Sequence, residues 1–284
     1  MTAPVRASAV DVPIESIEPR KGLGVADLRE LWRYRELMLF FTWRDILVRY
    51  KQTLLGYAWA IIQPLFLMVV FSVFLGELAG VPSEGVPYPI FAYAALLPWT
   101  FFANALARSS GSLVGNSNLL RKVYFPRLVL PISGLLSGLV DFAVASSVLL
   151  GLMVYFGVYP QPEALLVVLP LIVLVVLTAL SVGLWLAALN VTYRDVQQAV
   201  PFLVQVWLFA TPVVYPATIV PEEWRSLLGL NPMSGIISGF RWAVLGTGDP
   251  PGAMLAVSVG ITALLLASGL VYFKRAERSF ADVV

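Results

Sequence analysis

The sequence contains neither cysteine nor histidine. Disulfides, thiol nucleophiles, Cys/His zinc sites and imidazole bases are therefore outside its chemistry. Charge is scarce as well: 13% of the 284 residues are Asp, Glu, Lys or Arg, against roughly 25% in a soluble domain, and 19 basic against 17 acidic residues leave a net charge of +2. So slight an excess gives no electrostatic footprint for nucleic acid. No lysine follows a glycine, so the phosphate-cradling GxxxxGK[ST] loop is missing and the chain has no such ATP site of its own. The first 20 residues mix Pro, Ser and acids without an apolar stretch, which predicts no cleavable signal and a loose tail over 1–24.

What remains is apolar. Hydrophobic residues make up 59% of the chain and mean hydropathy is +0.83, so its solvent is lipid. Apolar runs near 54–76, 88–107, 128–156, 164–190, 197–219 and 253–273 are each long enough for a hydrocarbon layer of about 30 Å, and predict six spanning helices in an all-α membrane protein. Seventeen of the nineteen basic residues fall before the first run, in the second loop (with Arg108), in the fourth loop or at the C-terminus. Only Arg225 and Arg241 fall on the other side, so the positive-inside rule predicts a multi-pass protein of a cytoplasmic membrane with both termini inside.

Three segments depart from the spanning pattern. Over 25–51, Leu28, Trp32, Leu39, Trp43, Ile46 and Tyr50 share a helical arc of about 60°, predicting an amphipathic helix whose stripe lies either in the headgroup layer or on the protein's own spans. The second loop, 109–127, carries Asn116, Asn118, Arg121, Lys122 and Arg127, and Ser117 or Asn118 is placed to cap a short helix over Leu119–Phe125. It is either a topology-setting basic loop or a docking element. From 216 to 252 prolines cut the chain into pieces too short to cross, and the largely apolar stretch Met233–Leu245, 13 residues long and carrying Arg241, predicts a re-entrant or interfacial helix, a lid or a structural hairpin.

Asp141 is the one ionisable residue read as lying well inside a span. An intramembrane acid marks either a transport function or a group hydrogen-bonded for packing, here by Ser137 one turn earlier. Ser133, Gly134, Ser137 and Gly138 form small-xxx-small pairs that predict a close helix contact. Aromatic residues gather at the ends of runs; Tyr57, Trp59, Tyr93, Trp99 and Phe102 are either interfacial belt residues or, with Asp141, candidates to line a pathway. Nothing in the sequence composes a metal site or a catalytic constellation.

WRDILVRYKQTLLGYAWAIIQPL (Trp43–Leu65), NSNLLRKVYFPR (Asn116–Arg127), YRDVQQAVPFLVQ (Tyr193–Gln205) and LNPM (Leu230–Met233) together resemble the permease subunits of bacterial ABC exporters for lipid-linked polysaccharides, of the O-antigen and teichoic-acid type. The resemblance implies a homodimer driven by two copies of a separate ATPase subunit, which would hold the ATP and Mg. It further implies an interface helix over 25–51, a coupling and gate region over Asn116–Arg127, and an external gate that includes Tyr215, Trp224, Asn231 and Pro232. Arg44, Arg49 and Lys51, at the cytoplasmic mouth, become candidates to attract the diphosphate of a lipid-linked glycan. A drug or small-lipid permease of the same fold is the alternative. A polytopic lipid-processing enzyme or a proton-coupled carrier would need more buried acids than this chain has.

Overall fold

The computed structural model describes residues 25–51, 53, 56–160, 162–248, 250, 252–277 and 280; the tail expected over 1–24 lies outside them. The described residues form helices and loops without strands. Two helices, α1 (Val25–Arg33) and α2 (Arg35–Tyr50), meet at Tyr34. α3 (Ala58–Phe71) continues into a π-helical stretch, Ser72–Leu78, where the Ser72 hydroxyl bonds the Met68 carbonyl at 2.7 Å. α4 (Tyr88–Gly115), the short α5 (Ser117–Lys122), α6 (Val129–Phe156) and α7 (Pro162–Thr192) follow. α8 (Val196–Phe209), a 3₁₀ turn at Ala217–Ile219, α9 (Glu222–Gly229), α10 (Pro232–Leu245) and α11 (Ala253–Glu277) complete the chain.

Among the described residues five helices are long and apolar enough to cross a membrane: α3 with its π-helical continuation, α4, α6, α7 and α11. The run expected as a further span over 197–219 is instead a 14-residue helix, α8, followed by an irregular segment before the 3₁₀ turn. Pro212 and Pro216 explain the break, because neither can donate the backbone bond that would extend α8.

α4 is the central helix. Of its most apolar 18-residue window 78% is buried, against 28% or less for the other four. Alanines 92, 94, 95 and 105 let neighbours approach, and Phe91, Tyr93 and Phe102 fill the space beyond. Pro98 within it removes one helical hydrogen bond, a loss tolerated where neighbouring helices cover the backbone. The lipid-like faces of α3, α6, α7 and α11 point outward, with Phe66, Leu150, Leu166 and Leu264 each more than 60% exposed.

One end of the bundle is closed by a separate hydrophobic cluster in which Phe41 of α2, Phe125, Leu128, Val191 of α7 and Phe273 of α11 meet. The opposite end holds Tyr88, Phe91 and the segment 212–215, tied together by the Tyr88 hydroxyl on the Val214 carbonyl at 2.5 Å. α10 enters the bundle and packs on α4, α7 and α11, with 12 of its 14 residues buried. Gly235 and Gly239 permit this approach: a Cβ on Gly239 would stand 3.2 Å from Leu171, and one on Gly235 would overlap Ser258 and the Met254 backbone.

Candidate functional site

Charge converges on Asp141, in the middle of α6. Its Oδ2 accepts from Arg49 Nη1 of α2 at 2.6 Å and from Arg108 Nη2 of α4 at 2.5 Å, and its Oδ1 accepts from the Tyr50 hydroxyl. Arg49 Nη2 also donates to Ser137 Oγ at 3.1 Å, and that hydroxyl donates in turn to the Gly134 carbonyl at 2.8 Å. Ser137 therefore serves the arginine, and the bond to Asp141 expected of it is absent. Side-chain exposures of 27% for Arg49, 21% for Arg108 and 17% for Asp141 place the group at the margin of the protein interior, where ion pairs are little screened.

Local sequence makes the convergence possible. Arg49 and Tyr50 close the last turn of α2, so both reach the same carboxylate, and the cation also suits the negative end of that helix. The Tyr50 ring stacks on Tyr57 at 3.9 Å between centroids, and its phenol is pushed above its ordinary range, first by burial and then by Asp141, so it remains a donor. The small residues of α6 face α4, where a Cβ on Gly138 would come within 2.7 Å of Arg108 Nη1.

Arg108 is a correction to the sequence reading, which placed it in the second loop. α4 continues to Gly115, two turns beyond the expected end, and carries Arg108 inside the bundle, where Asp141 offsets its charge. Ser109 and Ser110, read as loop residues, are buried and bonded to carbonyls of Pro131 and Ala107.

The amphipathic segment presents two apolar faces. Tyr34, Leu37, Met38, Phe41 and Ile46 turn toward the bundle, and the Phe41 ring meets Phe125 at 5.7 Å. Trp32, Leu39 and Trp43, from the expected stripe, are at least 59% exposed, joined by Phe40, Leu47 and Val48. Docking thus uses the far side of the helix over 37–41, while Ile46 and Tyr50 of the predicted stripe also turn inward. Arg44 pairs with Asp45 at 2.8 Å and lies over the Phe41 ring, while Lys51 is exposed.

In the second loop the expected short helix is present but earlier, at Ser117–Lys122, and Asn116 stands at its N-cap without a side-chain cap. The Asn116 amide instead bonds the Ser112 carbonyl at 2.8 Å, finishing α4. Asn118, Arg121 and Lys122 face outward. Arg127 does not: it donates to the Glu277 carbonyl and lies over Phe280, fastening the end of α11.

Of the aromatic candidates, Tyr57 and Trp59 are 45% and 48% exposed. Tyr93, Trp99 and Phe102 are enclosed in the core; Tyr93 donates to the Ala145 carbonyl at 2.9 Å and Phe102 meets Trp207 edge-on. Burial within one copy leaves those three no surface for a passing substrate.

At the other end Arg241 is almost wholly buried, and among the described residues no carboxylate pairs with it. Its guanidinium donates to the carbonyls of Phe91, Pro212, Val213 and Tyr215 and lies 3.6 Å from the centre of the Phe91 ring. It thereby holds the irregular segment after α8. Asn231 braces the same segment: its Oδ1 caps Met233 N and accepts from Trp207 Nε1 at 3.0 Å, and its Nδ2 reaches Thr211 Oγ1 at 2.8 Å. Pro232, buried, begins α10; Tyr215 bonds the Phe209 carbonyl, and Trp224 is exposed. Arg241, named in the sequence only as a charge on the far side, is the organising residue there.

Among the described residues no group of His, Cys, Asp and Glu is arranged to hold a metal ion. The ABC-2 type transporter family matches residues 36–245 of the chain. The chain is 34% identical over 265 residues to the O-antigen export system permease protein RfbA of Myxococcus xanthus, covering 90% of this chain and 98% of that protein. It is 27% identical over 253 residues to the protein of the same name from Klebsiella pneumoniae, 88% and 95% of the two chains. With the polysialic acid transport protein KpsM of Escherichia coli it shares 26% identity over 240 residues, 83% and 92% of the two.

Proposed function

The chain belongs to the ABC-2 type transporter family, and from that premise we propose that it is the channel-forming subunit of an ATP-driven exporter that moves polyprenyl-diphosphate-linked polysaccharide across a bacterial cytoplasmic membrane. The observation that carries this reading is the end-to-end similarity to O-antigen export permeases, which spans nearly the full length of both chains. ATP and Mg belong to a separate ATPase subunit, two copies of which act on a homodimer of this chain.

In this reading the chain crosses the membrane six times. α8 with the segment to Pro216 supplies the crossing between α7 and α11, in keeping with the meeting of α2, the end of α7 and the end of α11 in one hydrophobic cluster. That end faces the cytoplasm, where the basic residues concentrate, and the exposed Trp32 of α1 and Trp43 of α2 rest in the headgroup layer. Arg44, Lys51 and the outward Arg121 and Lys122 draw the diphosphate toward the mouth, Tyr57 and Trp59 offer a surface for the sugar chain, and Tyr215, Trp224, Asn231 and Pro232 belong to an external gate.

Coupling follows contacts already described. Closure of the ATPase subunits moves α5 and the loop after it; Phe125 transmits the movement to Phe41, and α2 pulls on Asp141 through Arg49 and Tyr50. Helices α4 and α6, joined by Arg108, then shift together.

The test is co-expression with the ATPase encoded beside this chain and purification through a tag on the chain alone. Equal amounts of ATPase, with activity lost on Arg121→Glu and Lys122→Glu while both chains stay inserted, are expected. A chain that purifies without any ATPase overturns the reading.

A further inference from the structure

Arg108 uses only part of its guanidinium. Nη2 bonds Asp141, whereas Nη1 is buried without a hydrogen-bond partner. With Arg49 beside it, two guanidiniums share one carboxylate, which leaves a positive charge in excess at the margin of a low-dielectric interior. Arg108 lines a niche of about 20 Å³ between α3, α4 and α6, together with Gln63, Thr100, Asn104, Gly138 and its own partner Asp141. The absence of a side chain at Gly138 keeps that space free. At its mouth the amides of Gln63 and Asn104 are exposed and make no hydrogen bond within the described chain.

We propose that this niche is a phosphate site: one terminal oxygen of a membrane-borne phosphate enters beside Gly138 and accepts from Arg108 Nη1, while the Gln63 and Asn104 amides donate to the others; the Thr100 hydroxyl, which donates to the Leu97 carbonyl at 3.1 Å, only lines the wall. The room available fits a single oxygen, and a phosphate offers several acceptors around one negative centre, which matches a guanidinium edge flanked by neutral donors. A site built for a cation would present acceptors with excess negative charge; here the charge is of the other sign. The assignment rests on the exporter reading for its substrate, a polyprenyl diphosphate, although the headgroup of a resident anionic lipid carries the same chemistry.

The full chain, purified in dodecyl maltoside, which contains no phosphate, is equilibrated with radiolabelled farnesyl diphosphate. Saturable binding is expected, weakened about tenfold by Asn104→Leu or Gln63→Leu, as for loss of one hydrogen bond to a charged group, and more strongly by Gly138→Ala. Unlabelled farnesol should not compete. Competition by phosphatidylglycerol as effective as that by farnesyl diphosphate keeps the phosphate site and assigns it to lipid headgroups; selective competition by the diphosphate assigns it to substrate. Binding indifferent to all three substitutions, or displaced equally by farnesol, overturns the proposal and leaves the niche to a water molecule. Because no ATPase enters this measurement, its failure is separable from failure of the exporter reading.

Discussion

Asp141 accepts from three side chains of two other helices, and two of those donors are cations. Replacing it with asparagine leaves Arg49 and Arg108 facing each other without a counter-charge, so Asp141→Asn should lower stability by about 3 kcal/mol, read as the thermal unfolding midpoint in detergent. The triple change Asp141→Leu, Arg49→Met and Arg108→Met removes every member of the group and should recover most of that stability while abolishing transport. If the triple variant is as unstable as the single one, the charges contribute little and local packing governs the site. The acid itself was legible, a lone carboxylate in an apolar run. Its partners were not, because they lie 92 and 33 residues away in sequence and no helical spacing reports such a distance. Arg108 was hidden further by the polar Ser109 and Ser110, which look like loop residues to a hydropathy scan but bond a carbonyl of the neighbouring α6 and one of their own helix.

The amphipathic character of 25–51 was readable, but an apolar arc cannot say whether lipid or protein will cover it, and α2 has apolar residues on both sides. The two faces make different predictions. Phe41→Ala, in the docked face, should cost about 3 kcal/mol and loosen the contact with Phe125. Trp43→Ser, in the outward face, should leave thermal stability within about 0.5 kcal/mol. In single-tryptophan variants, brominated lipids should quench Trp43 strongly and the enclosed Trp99 weakly. The prolines after α8 announced an interruption, yet only the fold reveals what repairs it. Arg241→Met strips donors from four carbonyls, and the expected result is faster amide hydrogen exchange across 210–216 with little change in α11.

On the scale of the whole molecule, the chain is a layer of outward-facing apolar helices around one buried helix, α4. The composition forecast the lipid-facing layer; the centre was harder to foresee, since burial by protein and burial by lipid select similar residues. Native mass spectrometry of the complex extracted with its ATPase should give two copies of each chain. A single copy of this chain with full transport would refute the homodimer. The charge group also has a consequence for biogenesis. Synthesis delivers Arg49 first, Arg108 second and Asp141 33 residues later, an interval of about 2–7 s at 5–20 residues per second. During that delay the emerging α4 carries a cation with no neutralising partner, so the translocon, or a chaperone beside it, must shelter the first two spans until α6 arrives. Nascent chains arrested before residue 141 should consequently remain extractable from the bilayer, and those arrested beyond α6 should not.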